Sequence, residues 1–244
     1  MWAKNSVFYS LILIILLSAC QAAHIETIPA EAPQIIKVGL QPSLDYLKEP
    51  ISVCANQNPA YDVLLLEKNS YNWQEEPVDI IFTSQQAVDG LQNTYLIDDI
   101  DVVIIVNPDF PTILLNMNQL QAVFNSEMIS PSQIGLSENT ELTIYGFELS
   151  SDISAMFAYQ YGFSPELPVD AFLAASPLSV VEKIANGSIS IGYTLSPTVT
   201  DQVKVLNVSL DYESTPIPVI ASLKSSLSPV QESFISCLQT SLIE

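Results

Sequence analysis

Three serines and an aspartate fall within five residues, Ser150, Ser151, Asp152 and Ser154, in the stretch FELSSDISAMFAYQYG at 147–162. A strand-like run stops at the two adjacent serines, and an amphipathic helical pattern begins behind them. The start of a helix presents backbone N–H groups that lack intrahelical acceptors; with hydroxyls beside them, such groups suit an anion. Asp152 stands against that chemistry. Two readings of the junction are open. In one, Ser151 caps the helix, worth roughly 1 kcal/mol, and Asp152 satisfies the positive end of the helix dipole, worth ~0.3–1 kcal/mol. In the other, Ser150, Ser151 and Ser154 contact a ligand, and Asp152 selects one that is protonated or cationic.

What the chain lacks removes most other chemistry. His24 is the only histidine and lies near the N-terminus, so no Ser–His–Asp or Cys–His catalytic set can form. The cysteines, Cys20, Cys54 and Cys237, make no Cys-x-x-Cys pair, and neither a zinc or iron site nor a cofactor is expected. Asp98-Asp99-Ile100-Asp101 lacks the glycine of a calcium loop and reads as a solvated turn before a strand. Glu75-Glu76 reads as an exposed acidic loop. A binding protein is expected rather than an enzyme.

The charge balance narrows the partners. Seven lysines are the only basic residues, there is no arginine, and 27 acidic residues bring the formal charge to −20. Without a basic surface to neutralise phosphates, a nucleic-acid partner is excluded. The acidic body should also be repelled by anionic lipid within a Debye length of about 8 Å at physiological salt. Hydrophobic residues at 48% against 14% charged give material for a substantial core.

The N-terminus sets the expected location. Residues 1–19 carry Lys4, an apolar run from Val7 to Leu17, and then Leu17-Ser18-Ala19-Cys20. That run is short for a membrane span, and small residues precede the cut, as in an export signal. The tetrad resembles the bacterial lipobox, which implies cleavage before Cys20 and attachment of lipid, palmitate among the acyl chains, to that residue. Two or more acyl chains would make a stable membrane anchor. Residues 20–34, rich in Ala, Pro, Glu and Thr, read as a tether. In an exported chain Cys54 and Cys237 form an even pair, and a disulfide is expected, the other reading being two buried thiols.

The body then alternates strand and helix signals. Strands are expected at 35–40, 61–67, 78–83, 100–108, 141–148, 188–195 and 203–210. Helices are expected around Leu44–Cys54, behind the capping pair Asn116 and Gln119, behind Ser151, behind Ser176-Pro177, and behind Ser228 and Gln231. Alternation of this kind predicts an α/β architecture with parallel sheets.

Four stretches, in order, resemble the phosphate-type solute-binding proteins of ABC transporters. They are PVDIIFTSQQ (77–86), VVIIVNPDFPTILLNMNQLQAVFNSEM (102–128), the serine-rich turn and helix at 147–162, and IANGSISIGYTLSP (184–197). The resemblance implies an α/β type II periplasmic-binding-protein fold, with two α/β lobes around a central cleft. Lobe 1 would take 35–106 and 196–244, and lobe 2 would take 107–195. The loops implied to face the cleft place Gln41, Ser43, Thr83, Ser84, Ser150, Ser151, Asp152, Ser154 and Tyr193 as ligand contacts. The implied function is that of a monomeric, lipid-anchored, extracytoplasmic binding protein serving an ABC permease, with a small polar solute or oxyanion as ligand. In that family an arginine approaches the turn, which reads close to Ser-Gly-Thr. Here no arginine exists and Asp152 lies among the serines, which weighs against phosphate itself. The alternative is a relative with a degenerate cleft, acting as a surface module for interaction or sensing.

Overall fold

The run QIIKVGL becomes β1 (Gln34–Leu40), with Ile36, Val38 and Leu40 fully buried. The computed structural model describes residues 32–67, 77–84, 93–111, 114–125, 131–210, 212 and 214–242. On one side β1 pairs in parallel with β2 (Tyr61–Glu67), and on the other with β3 (Ile80–Ser84). The far side of β3 takes β12 (Ile217–Leu223) antiparallel, and β12 in turn takes the edge strand β4 (Asn93–Ile100), also antiparallel. A short 3-10 helix, Pro42–Leu47, follows β1 and leads into α1 (Lys48–Gln57). Pro50 sits in the first turn of α1, where its missing N–H costs nothing. The C-terminal helix α5 (Pro229–Ser241) opens on the predicted Ser228/Gln231 capping box and packs beside α1. Cys54 and Cys237 bridge the two helices, with Cα atoms 5.9 Å apart.

The second sheet is built around β5 (Val102–Val106), which lies antiparallel to both β9 (Ser190–Leu195) and β10 (Lys204–Leu206). Next to β9 come β7 (Thr143–Gly146) and then the edge strand β8 (Phe172–Leu173), each parallel to its neighbour. A separate parallel pair joins β6 (Leu115–Asn116) to β11 (Val208–Ser209). Among the described residues, three α-helices belong to this half: α2 (Met117–Phe124), α3 (Asp152–Tyr161) and α4 (Pro177–Asn186). Each starts at the cap its sequence announces. Asn116 with Gln119 and Ser176 with Ser179 form capping boxes, and the Ser151 hydroxyl accepts from the Ser154 N–H. Gly162 ends α3 at φ 75°, a left-handed conformation that favours glycine. At Gly192 a Cβ would lie 2.9 Å from both Ile184 Cδ1 and the Tyr145 carbonyl, so α4 rests directly on β9.

Polar clasps mark where the chain changes sheet. It passes from β4 to β5 at Asp101 and returns between β11 and β12. At the outgoing crossing, the Asp101 N–H donates to Ser196 Oγ (3.0 Å) and the Ser196 N–H donates back to the Asp101 carbonyl (2.8 Å). One residue on, the Gln160 side chain accepts from the Val102 N–H and donates to the Val102 carbonyl, both at 2.7 Å. The Tyr161 hydroxyl donates to that same carbonyl at 2.9 Å. On the return crossing, the Tyr212 hydroxyl donates to the Gln160 carbonyl at 2.7 Å.

Several sequence expectations are corrected. The single strand at 100–108 is broken at Asp101, because Ile100 and Val102 are both buried but in different sheets. As a result β5 and β10, expected with lobe 1, pair in the second sheet. Asp98 and Asp99 lie within edge strand β4, not in a turn, and Asp98 Oδ2 accepts from the Tyr46 hydroxyl at 2.8 Å. The strand expected at 203–210 divides at Asn207, its two parts pairing with different partners. Both sheets are mixed rather than parallel. Residues 1–19, Cys20, His24, Glu75-Glu76 and Gln85 lie outside the described residues. Among the described residues no helix is long and apolar enough to cross a membrane.

Candidate ligand-binding cleft

Three strands bring their carboxyl ends to one place. β1 hands over to Gln41-Pro42-Ser43, β7 to the turn at 147–151 before α3, and β8 to Ala174-Ala175-Ser176 before α4. These segments enclose a cleft of about 400 Å³, lined from the first half by Pro42 and Ser43 and from the second by residues 150–153 and 173–177. The first turns of α3 and α4 therefore both face it, and their dipoles bring positive potential. Phe147 and Glu148 also line it among the described residues. Among these residues are two carboxylates, Glu148 and Asp152, and no lysine.

The second-half wall is held from behind by a directed chain of hydrogen bonds. Ser154 Oγ donates to the Glu148 carbonyl at 2.9 Å, which commits its proton. The Tyr193 hydroxyl, 3.1 Å from Ser154 Oγ, is therefore the donor in that pair, and it accepts in turn from the Phe147 N–H at 3.3 Å. Ser151 Oγ also donates to Ser154 Oγ at 3.0 Å while accepting from the Ser154 N–H at 3.3 Å. Burial pushes the Tyr193 phenol above its usual pKa, partly offset by its bonds to Ser154 and Phe147, so it stays a donor. Its ring is fully buried, with centroids 5.4 Å from Phe124, 5.4 Å from Phe147 and 4.6 Å from Phe157. Packing of these rings fixes the turn that forms the cleft wall.

The first-half wall differs. Gln41 Oε1 accepts from both the N–H (2.8 Å) and the hydroxyl (3.3 Å) of Ser84, tying the ends of β1 and β3 together. Ser43 lines the cleft at 5% exposure, and its hydroxyl is buried with no partner. An unsatisfied buried hydroxyl costs about 1–3 kcal/mol. Nearby, burial raises the Asp45 carboxyl above the usual range; Lys48, the Tyr46 N–H and Ser176 of the other half pull it back. No group of three or more His, Cys, Asp or Glu side chains among the described residues could hold a metal ion.

Comparison with known proteins finds no family model that matches the chain and no curated protein that matches it in sequence. Solved structures do match. One, described as a phosphate ABC transporter substrate-binding protein with bound phosphate from Clostridium perfringens, superposes at TM-score 0.70 and 17% identity, over 84% of this chain and 93% of that one. An ABC-type phosphate transport receptor from Vibrio cholerae matches at 0.62 and 17%, with the same coverage of 84% and 93%. The regulatory domain of a Vibrio vulnificus OxyR2 variant matches at 0.57 and 12%, over 86% and 96%. The fold is that of the type II periplasmic binding proteins. Two α/β lobes with a cleft between them are the shared architecture, and identities this low carry the likeness no further than the fold.

Within the type II fold, the expected ligand residues divide into two groups. Ser43, Ser150, Ser151 and Asp152 come together at the cleft. Gln41, Thr83, Ser84, Ser154 and Tyr193 stand behind it: Thr83 is buried in β3, and the others spend their polar atoms on the walls. Sequence reasoning missed Glu148 and the segment from Leu173 to Pro177. Ser176-Pro177 was legible as a helix start. A helix start following a strand's carboxyl end is where open α/β sheets place ligands, and that signal could have found it.

Proposed function

We propose that this chain is an extracytoplasmic solute-binding lipoprotein, anchored by lipid on Cys20 and working as a monomer with an ABC permease. Its lobes grip a small polar solute or oxyanion. The observation that carries the reading is the meeting, around about 400 Å³, of the α3 and α4 first turns with Pro42 and Ser43 from the opposite lobe. That volume is in the range of small-ligand sites, roughly 300–1,000 Å³. Transport receptors and a phosphate-bound structure among the neighbours support a solute-binding role for the fold. Glu148, Asp152 and the absence of arginine weigh against phosphate itself. Ligand would shift the lobes toward closure only by binding the closed form more tightly.

A thermal-shift screen of the full chain against phosphate, sulfate, molybdate, amino acids and divalent cations tests the reading. A ligand-dependent rise in Tm is expected, and a flat screen overturns it. Cys20→Ala should abolish incorporation of labelled acyl chains; continued labelling would remove the anchor. The OxyR2 likeness and the internally capped α3 favour a second reading, a surface module for sensing or protein interaction. A flat screen would favour that module.

A further inference from the structure

We propose that Gln160 is a brace between the two lobes, setting the angle between them by holding both segments in which the chain changes sheet. The register of the second sheet shows why a glutamine stands there. Along β5, Val106, Ile105 and Ile104 face Lys204, Val205 and Leu206 of β10. Carried two residues further, that register would set Val208 opposite Val102. Val208 leaves instead to pair with Leu115. Val102, fully buried at the point where the chain enters the second sheet, is left with one edge that no described strand covers. The Gln160 side chain, itself only 7% exposed, fills that edge. A primary amide carries an acceptor and donors side by side, so it can stand in for a strand's peptide group. Its Oε1 accepts from the Val102 N–H and its Nε2 donates to the Val102 carbonyl, each at 2.7 Å.

Rotation of one lobe on another needs a few residues free to change φ and ψ. The outgoing crossing offers none. Ser196 bonds both the N–H and the carbonyl of Asp101, and Gln160 bonds both the N–H and the carbonyl of Val102. Tyr161 adds a second donor to the Val102 carbonyl; burial, then the charge of Asp101 and the nearby Tyr212, push its phenol up, so it keeps its proton. The returning crossing is tied to the same residue, because the Tyr212 hydroxyl donates to the Gln160 carbonyl at 2.7 Å. One glutamine thus holds the outgoing segment with its side chain and the returning segment with its backbone. The brace acts whatever the cleft holds.

Double electron–electron resonance on the full chain tests the brace. Spin labels go on Asp62→Cys in β2 and Glu182→Cys in α4, both exposed and one in each lobe, with Cys20→Ala so that only these two thiols take label. The chain with Gln160 intact should give one narrow inter-lobe distance. Gln160→Met keeps the length of the side chain and removes its hydrogen bonds, and should shift or broaden that distance. A role in packing alone would lower Tm and leave the distance where it was. An unchanged distance in Gln160→Met, even at lowered Tm, therefore overturns the brace, as does a broad distribution with Gln160 intact. Should Gln160→Met fail to fold, Tyr212→Phe decides by the same measurement, since it frees only the returning segment: a shifted or broadened distance supports the brace and an unchanged one overturns it.

Discussion

On the first-lobe side of the cleft, Gln41 gathers Ser84, while the Cys54–Cys237 bridge joins α1 to α5, and neither cysteine is among the described lining residues. On the second-lobe side, residues 102–206 contain no cysteine, and the wall at 147–151 leans on Tyr193 and the rings around it. One half keeps its strongest covalent support apart from the site. The other makes core and site a single network, in which the tyrosine that fills the interior also positions the turn. Changes to the core should therefore reach the ligand surface in the second half and stay away from it in the first.

The largest effect comes from breaking the bridge. Cys54→Ser with Cys237→Ser frees a loop spanning 183 residues and should cost roughly 5 kcal/mol in the chain-entropy treatment, read by urea unfolding. Amide exchange at Phe147 and Ser154 should keep its native-state rate; acceleration there would show that the halves are not independently secured. Tyr193→Phe is the converse probe. It strands the buried Phe147 N–H at a cost of about 1–3 kcal/mol, and exchange at Phe147 should accelerate. Ser151→Ala removes the α3 cap, with a loss of about 1 kcal/mol and faster exchange at Ser154.

The smallest effect sharpens the first-half side. Burial raises the Asp45 carboxyl, so the folded chain holds that proton more tightly than the unfolded chain does. Stability from this group is greatest below the ordinary carboxylate pKa of 3.8 and falls as pH rises through the folded value. Asp45→Asn should then give a small rise in Tm at neutral pH that disappears in acid. A gap that widened in acid would contradict the sign.

Legibility followed locality. The caps at Asn116, Ser151, Ser176 and Ser228 are set by residues three apart, and each was readable and is present. β12 was not read, because Pro216 and Pro218 argue against a strand; yet it lies between β3 and β4, a placement only distant partners can dictate. The break at Asp101 was hidden for the same reason: apolar residues on both sides look continuous until their sheets differ. At the cleft, residue type alone could not tell which hydroxyl faces outward. Ser151 and Ser154 are one helical turn apart, and the second donates its hydroxyl to the Glu148 carbonyl while its oxygen accepts from Tyr193.

The helix α3 reaches from the cleft to the crossings. Ser151 stands at its outer tip; Gln160, near its other tip, clasps Val102 on the outgoing strand and, through its carbonyl, Tyr212 on the returning one. Ten residues of helix make a rod of about 15 Å. That one rod therefore has a cleft-lining turn at its first end and, at its last, hydrogen bonds to both segments by which the chain changes sheet.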